Sequence, residues 1–316
     1  MNTLKKILLG DQGLVIIFAI ALAIVWICVP HFGTQRNMLG LLQSVVTIGM
    51  IACTMMFCLA ARDFDLSVGS TVAFTGMIAV ITANSTGSLL IGILAALIGG
   101  VLVGWFNGII IAKFKVNALI TTLAMMQIVR GLALIISDGR AVGVDDPNFY
   151  ELALFKIAGI PIPVIVMGIF FIIFGIILNN TVFGRNTLAI GGNPDASRLA
   201  GIDVDKMRII IFTLQGLACA VAGIILASKI TSGQPNAATG LELSVISACV
   251  LGGVSLAGGK ATMSGVLVGV MIMGIAENAI NLLQIPTFYQ HLVRGIILLL
   301  AVMLDNLRST AFGIKS

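Results

Sequence analysis

The chain has 316 residues, of which 59% are hydrophobic and only 10% are charged. Soluble domains carry about 25% charged residues, so this chain has too few polar side chains to cover a water-facing surface, which excludes a soluble globular domain. The net charge of +5 comes from Lys and Arg in short stretches between apolar segments, and we expect no nucleic-acid partner. The composition is typical of a polytopic membrane protein.

Ten apolar segments follow one another along the chain, and the sequence predicts an all-α membrane protein because none shows the alternation of a strand. They lie near 14–30, 39–60, 67–83, 88–112, 117–136, 161–179, 209–227, 243–257, 264–282 and 287–305. The first is followed by His31, Phe32 and Arg36 instead of a small-residue cleavage site, which favours an uncleaved span over a signal peptide. The eighth is short for a span of roughly 20 residues, so it is tilted, broken or partly buried.

The positions of Lys and Arg predict how the chain is oriented. With the N-terminus inside, the inside segments hold 12 of the 18 basic residues, the outside loops hold 4, and Arg130 and Arg294 lie within spans. Cytoplasmic loops are the basic ones, so both termini are predicted to be cytoplasmic. The longest inside loop, about 180–208, is too short for a separate domain. Residues 1–316 therefore form a single transmembrane domain.

Three sequence matches indicate an internal repeat that relates spans 3–5 to spans 8–10. They are DLSV at 65–68 and ELSV at 242–245, GVLVG at 100–104 and 265–269, and VRG around Arg130 and Arg294. The offset is five spans, an odd number, so equivalent helices would cross the membrane in opposite directions. Inverted-topology repeats are a common plan of transporters. The GVLVG pairs also predict close helix packing through small residues.

Polar groups inside the predicted spans are candidates for a solute pathway, because a charge at mid-helix costs roughly 2.5–3.5 kcal/mol on insertion scales. The candidates are Asn107, Asn117, Thr121, Gln127, Arg130, Glu277, Asn278, Asn281 and Arg294. Amides and hydroxyls suit a neutral polyhydroxylated solute, which needs donors and acceptors. The alternative is that these groups satisfy one another in helix packing.

The inside loop contains the signature of a short capped helix. Asn193 is a good cap, Pro194 suits the first helical position, and Asp195 favours the positive helix end. The helix would cover 196–200 and end at Gly201. It is either a docking element for a soluble partner or a surface linker.

No catalytic or cofactor signature is found in the sequence. GGVSLAGGKAT resembles a phosphate-binding loop, but Val254 stands where that motif needs glycine and Ala261 replaces its hydroxyl. We find no metal-site spacing, and the five cysteines are expected to be small packing residues. Any energy from ATP would come from another subunit.

Three motifs carry a resemblance to a known family. FDLSVGS at 64–70, FGRNTLAIGGN at 183–193 and VLGGVSLAGG at 250–259 resemble the permeases of bacterial monosaccharide ABC importers, the ribose, galactose and arabinose group. Residues 118–143 and 225–235 are most similar to the arabinose members. The resemblance implies a non-enzymatic inner-membrane subunit that moves a monosaccharide, L-arabinose, by alternating access.

The resemblance also implies partners and site residues. A homodimer in membrane lipid would bind two ATP-binding cassettes on the cytoplasmic face, and a periplasmic sugar-binding protein would deliver the sugar. The expected docking residues are Arg185, Gly192, Asn193 and Arg198. Asp65, Leu66 and Ser67 match a family signature without an assigned role.

Three alternatives remain open. An ion-coupled secondary transporter also fits an inverted repeat, but it would need intramembrane carboxylates and no docking partner. A related ABC permease for ribose or galactose would share every feature above. A passive channel is the third alternative.

Overall fold

The structure is a computed structural model that describes residues 11–286 and 288–311. Lys5, Lys6 and Lys315, which support the predicted orientation of the termini, lie outside these residues. Within them, thirteen helices make up nearly all regular structure. They are α1 (Asp11–Cys28), α2 (Gln35–Ala60), α3 (Val68–Thr86), α4 (Leu89–Lys113), α5 (Ala118–Ile136), α6 (Pro147–Leu154), α7 (Ile162–Asn180), α8 (Val182–Gly192), α9 (Pro194–Leu199), α10 (Val204–Lys229), α11 (Leu241–Leu251), α12 (Met263–Leu282) and α13 (Phe288–Ala311).

Four two-residue strands form two small antiparallel ladders. β1 (Val142–Gly143) pairs with β4 (Ser232–Gly233). β2 (Lys156–Ile157) pairs with β3 (Ile160–Pro161). The first ladder ties the segment after α5 to the segment after α10.

Seven of the described helices are long and apolar enough to cross a membrane, namely α2, α3, α4, α5, α7, α10 and α12. The predicted all-α, multi-pass class is therefore confirmed. The other three predicted segments correspond to shorter apolar helices, Phe18–Cys28, Leu241–Leu251 and Phe288–Met303.

The buried core is centred on α2. The most apolar window of α2 is 78% buried, whereas those of α4, α5 and α7 are 28%, 22% and 22% buried. Ile120 and Ile135 on α5 and Ile172 on α7 are among the exposed side chains. Burial around α2 and exposure on the outer helices is the pattern expected where lipid or another membrane subunit covers the apolar surface.

Glycines bring α4 and α10 into backbone contact. A Cβ atom at Gly104 would collide with the Phe212 carbonyl, one at Gly216 would collide with the Gly100 carbonyl, and one at Gly108 would lie 2.7 Å from the Ile209 Cα atom. We call this contact the glycine seam. The predicted packing role of the first GVLVG is confirmed.

The second GVLVG packs against a different neighbour. Gly269 of α12 lies against the Ala248 carbonyl and Gly265 against the Gly252 carbonyl, both at the end of α11. The two copies therefore share a packing role, although their contacts are not equivalent.

Helix α11 is shorter than the predicted segment 243–257. It ends at Leu251 because Gly252 caps it and Gly253 follows with φ of 82°, a left-handed conformation that glycine adopts readily. Eleven residues rise about 16 Å, roughly half of a bilayer core. The predicted inside loop also contains the unexpected helix α8, and the predicted outside segment contains α6.

Candidate functional site

Helix α9 forms where the sequence predicts a capped helix. The Asn193 side chain accepts hydrogen bonds from the backbone N–H groups of Asp195 and Ala196, both at 3.0 Å. Pro194 is the first helical residue, and Gly201 follows the helix with φ of 85°. The local sequence therefore determines this element.

The surface of α8 and α9 exposes two large apolar side chains, Val182 at the start of α8 and Leu199 at the end of α9. Leu199 is 91% exposed, and Arg198 pairs with Asp195 at 3.2 Å and with Asp205 at 3.6 Å. The four residues predicted to dock a partner, Arg185, Gly192, Asn193 and Arg198, are all exposed on this segment. We call residues 182–199 the docking segment.

Three chain segments meet at the base of the docking segment. The guanidinium of Arg62 donates to the Ala257 carbonyl at 2.5 Å and to the Gly192 carbonyl at 3.2 Å. The Gly259 N–H donates to the Ala60 carbonyl at 2.9 Å. We call residues 60–62, 191–192 and 257–259 the anchor junction. It connects the docking segment to the loops that follow α2 and α11.

Backbone proximity at the anchor junction requires glycine. A Cβ atom at Gly191 would collide with the Ala60 carbonyl and the Gly259 nitrogen, and one at Gly258 would collide with the Arg62 side chain. Gly258 and Gly259 also have φ of 81° and 75°. The GGVSLAGGKAT stretch, which resembles a phosphate-binding loop, therefore forms a structural connection.

Two buried carboxylates follow α2 in different surroundings. Asp63 pairs with Arg208 of α10 at 2.8 Å. Asp65 accepts hydrogen bonds from the Ser67 N–H at 2.8 Å and the Ser67 hydroxyl at 2.6 Å. Burial raises the pKa of each carboxyl to about 6, because the charged form loses hydration. Of the predicted signature, Asp65 and Ser67 are buried and Leu66 is half-buried.

The predicted pathway residue Asn107 belongs to this network. Its side-chain amide donates to the Ser67 hydroxyl at 3.0 Å, which places α4 against the start of α3. Thr121 of α5 is buried, and its hydroxyl has no partner among the described residues. Asn117 is exposed and caps α5 by accepting from the Leu119 N–H at 2.9 Å.

Four other candidates form a separate cluster between α12, α13 and α2. Arg294 pairs with Glu277 at 2.8 Å, Asn278 exchanges two hydrogen bonds of 2.9 Å with Asn37, and Asn281 accepts from Gln290 at 2.8 Å. The groups satisfy one another, so this cluster has the character of helix packing.

Gln127 and Arg130 instead line a polar cleft of about 300 Å³ between α5, α3 and the segment before α11. The lining residues are Ser70, Met126, Gln127, Arg130, Asn236, Thr239, Gly240 and Glu242. Arg130 donates to the carbonyls of Pro235 at 2.5 Å and Ala237 at 2.9 Å. A charged group with amides and hydroxyls therefore surrounds one space.

The starts of α3 and α11 meet at this cleft. A Cβ atom at Gly69 would lie 2.5 Å from the Ala238 carbonyl and 2.7 Å from a carboxylate oxygen of Glu242. Only glycine permits this approach. The DLSV and ELSV matches thus mark two helix starts that lie next to each other.

Sequence reasoning named only Gln127 and Arg130 among the eight lining residues of the cleft. Ser70, Asn236, Thr239 and Glu242 were not predicted to line a pathway, because three of them are in the irregular segment before α11 or in its first turn. The ELSV match at 242–245 was the one signal that could have singled out Glu242. Within the described residues, no group of three His, Cys, Asp or Glu is placed to hold a metal ion.

Residues 37–302 match the family described as "Branched-chain amino acid transport system / permease component". The chain belongs to this family of transport permeases. It is 54% identical over 302 residues to the L-arabinose transport system permease protein AraH of Escherichia coli (strain K12), covering 95% of this chain and 92% of that protein. The permease is therefore a transport subunit and not an enzyme.

Other relatives carry the name of L-arabinose or of ribose. The permease is 50% identical over 301 residues to the L-arabinose ABC transporter permease protein AraH of Azospirillum brasilense, with 95% and 89% coverage. It is 38% identical over 305 residues to the ribose import permease protein RbsC of Escherichia coli (strain K12), with 95% of each chain covered. No solved structure matches it. The resemblance to monosaccharide permeases is confirmed.

Proposed function

We propose that this chain is the membrane-spanning permease of an ABC importer that carries L-arabinose across the bacterial inner membrane. The observation that carries the proposal is the 54% identity, over 95% of the chain, to an L-arabinose transport permease. The family description names branched-chain amino acids, but relatives that cover 95% of the chain carry the names of L-arabinose and ribose systems, which favours a sugar.

The docking segment supports a soluble ATP-binding partner. A rigidly capped helix that exposes Leu199 between charged residues offers an apolar anchor with a polar rim, the usual anatomy of a protein–protein contact. Arg185, Gly192, Asn193 and Arg198 are the proposed contact residues. The proposal includes a periplasmic sugar-binding protein on the opposite face and a second copy of the permease.

Helix packing supports the proposed inverted repeat. Helix α4 packs against α3 and α10, whereas α12 packs against α11 and α2. With ten spans and an offset of five, these neighbours are equivalent pairs. Such a repeat would allow the two halves to rock around a central path, with both termini in the cytoplasm.

The proposed path contains the predicted polar residues in unequal roles. Gln127 and Arg130 line the cleft and are the strongest solute contacts. Asn107, Asn117 and Thr121 lie near the start of α3 or of α5. Glu277, Asn278, Asn281 and Arg294 hold α12 against α13 and α2.

Co-purification tests the proposal. The permease is coexpressed with the ATPase and binding protein of its own transport system, purified by a tag on the permease, and reconstituted in liposomes. We expect the ATPase to copurify, and L-arabinose uptake to require both ATP and the binding protein. The variants Arg198→Glu and Leu199→Asp should abolish copurification, whereas Lys156→Glu, on the β2–β3 ladder, should not.

Two outcomes would contradict the proposal. Uptake that persists without ATP and collapses with the proton gradient would indicate a secondary transporter. Faster uptake of D-ribose than of L-arabinose with the cognate binding protein would assign the alternative sugar.

A further inference from the structure

We propose that the polar cleft is a binding subsite for a neutral monosaccharide, so that the permease itself takes part in selecting the sugar. This inference rests on the proposed function. It departs from the simpler expectation of an unselective passage in which only the binding protein recognises the sugar.

Part of the cleft lies beside the middle of a predicted span. Gln127 is the tenth of the 19 residues of α5, so it is at the middle of a helix whose length matches the bilayer core. Helix α11 covers about half of that thickness and starts at the cleft. Broken helices whose N-termini meet near the midplane are the usual construction of a substrate site in transporters.

The irregular backbone before α11 gives a second reason for a hydrated site. Residues Asn236, Thr239 and Gly240 line the cleft outside any helix. At membrane depth, irregular backbone is tolerated only where protein buries it or where it lines a water-filled cavity. Asn236 and Thr239 are exposed, so this segment faces an open polar space.

The side chains match the chemistry of a sugar. Arg130 donates through one nitrogen, Nη1, to the Pro235 and Ala237 carbonyls. Its other N–H groups make no hydrogen bond within residues 11–286 and 288–311. Glu242 supplies an acceptor, and Gln127 and Asn236 supply both donors and acceptors. The Thr239 hydroxyl donates to the Asn236 carbonyl at 2.9 Å and keeps its oxygen as an acceptor for a sugar hydroxyl. A hydroxyl both donates and accepts, so a ring of mixed groups recognises it without requiring a net charge on the solute.

Ser70 is an independent indication of a ligand. Its side chain is 1% exposed, lines the cleft, and its hydroxyl has no hydrogen-bond partner among the described residues. A buried hydroxyl without a partner costs about 1–3 kcal/mol, and a sugar hydroxyl entering the cleft would satisfy it. The volume of about 300 Å³ is at the lower end of small-molecule sites and suits a monosaccharide.

Volume-matched variants test the inference in the complete transporter. Gln127→Leu and Thr239→Val remove hydrogen bonds while keeping the size of the side chain. Gln35→Leu and Thr86→Val make the same changes at exposed positions outside the cleft and serve as controls. Each permease is reconstituted with its ATPase and binding protein, and uptake of radiolabelled L-arabinose and D-ribose is measured at saturating binding protein.

We expect both cleft variants to copurify with the ATPase and to reduce L-arabinose uptake per ATP hydrolysed about three- to tenfold, the effect of one lost hydrogen bond. The ratio of L-arabinose uptake to D-ribose uptake should also change, because the two sugars present their hydroxyl donors and acceptors in different arrangements. The controls should match the parent permease. A conservative Thr239→Ser, which keeps the hydroxyl, should restore uptake.

Unchanged rates and an unchanged sugar ratio in the Gln127→Leu, Thr239→Val double variant would overturn the subsite. Loss of uptake that Thr239→Ser does not restore would also overturn it, since that result indicates a packing role. If the parent permease shows no ATP-dependent uptake at all, the proposed function fails instead, so the two failures are distinguishable.

Discussion

Asp63 and Asp65 are buried carboxylates two positions apart, and they differ in how their charge is balanced. Asp63 has Arg208 as a partner, whereas Asp65 has hydrogen bonds from Ser67 and no Lys or Arg side chain within ion-pair distance among the described residues. Burial raises both pKa values from 3.8 to about 6. The folded protein therefore binds their protons more tightly than the unfolded chain does.

The sign of the pH effect follows from that shift. A carboxyl group with a raised pKa stabilises the fold fully below about pH 4, and this contribution is lost as the pH rises through about 6. We therefore predict that Asp65→Asn raises the unfolding temperature at pH 7.5 and has little effect at pH 4, because the asparagine is neutral at every pH. The gain at pH 7.5 is on the order of 1–3 kcal/mol, measured by thermal unfolding in detergent between pH 4 and 7.5.

Asp63→Asn is the matched comparison. The pKa of Asp63 is raised to about the same value although Arg208 is 2.8 Å away, so the same linkage predicts a gain at pH 7.5. We expect that gain to be smaller than for Asp65→Asn, because the substitution also leaves Arg208 without a counterion. Equal effects of the two substitutions would show that the ion pair does not distinguish the sites.

The glycine seam connects two long helices through a few backbone contacts. We predict that Gly104→Ala lowers the stability of the permease by about 1–3 kcal/mol, because its Cβ atom would collide with the Phe212 carbonyl of α10. The yield of monodisperse protein and its unfolding temperature in detergent measure the effect.

Gly40→Ala is the control for the seam, because a Cβ atom at Gly40 of α2 would meet nothing within 4 Å. We expect this variant to be neutral or slightly stabilising, since alanine is the better helix former. If Gly104→Ala is as stable as Gly40→Ala, close packing of α4 on α10 is not required.

Arg62 connects the docking segment to α11, and α11 begins at the cleft. We predict that Arg62→Ala leaves the ATPase bound and active but lowers sugar uptake per ATP about tenfold, because two hydrogen bonds of the anchor junction are lost. Transport and ATP hydrolysis are measured on the same proteoliposomes.

The exposed Arg140, which is in the segment after α5, provides the control Arg140→Ala. We expect it to keep the parent ratio of uptake to hydrolysis. A parallel fall of binding, hydrolysis and uptake in Arg62→Ala would instead make Arg62 part of the docking surface.

Local signals in the sequence predicted single elements well. The cap at Asn193, the glycine packing of α4 and the apolar helices follow from residues near one another in the chain. The length of α11 was overestimated, because apolar residues continue past Leu251 while Gly252 and Gly253 end the helix. Helix α8 was missed because its polar residues resemble those of a loop.

The cleft and the anchor junction could not be predicted from local sequence signals, because each brings together distant parts of the chain. Gln127 and Glu242 are separated in the chain by two long helices, α7 and α10, and Arg62 donates to the Ala257 carbonyl 195 residues further along the chain. Polarity alone also failed to separate Arg130, which lines the cleft, from Arg294, whose charge Glu277 neutralises. Those distinctions depend on tertiary packing.

The orientation of the whole molecule is the last prediction and rests on the distribution of basic residues. One candidate span, α7, separates Lys156 on the β2–β3 ladder from Leu199 on the docking segment, so a crossing by α7 puts the two positions on opposite sides of the membrane. We predict that Leu199 is cytoplasmic and Lys156 periplasmic.

Cys28 is the one described cysteine that is exposed, and Cys53, Cys58, Cys219 and Cys249 are buried. Cys28→Ser therefore gives a background with little labelling.

In that background, a membrane-impermeant maleimide should label Lys156→Cys but not Leu199→Cys in right-side-out spheroplasts, and should label only Leu199→Cys in everted vesicles. The reverse pattern would place the docking segment outside, where no ATP-binding partner could reach it, and would overturn both the orientation and the importer. Labelling of both positions from one side would mean that α7 does not span the membrane. In the predicted ten-span arrangement, six spans lie between the N-terminus and the docking segment, and four lie between that segment and the C-terminus. Both termini should therefore be labelled from the same side as Leu199→Cys, and the same assay at the termini would test that arrangement.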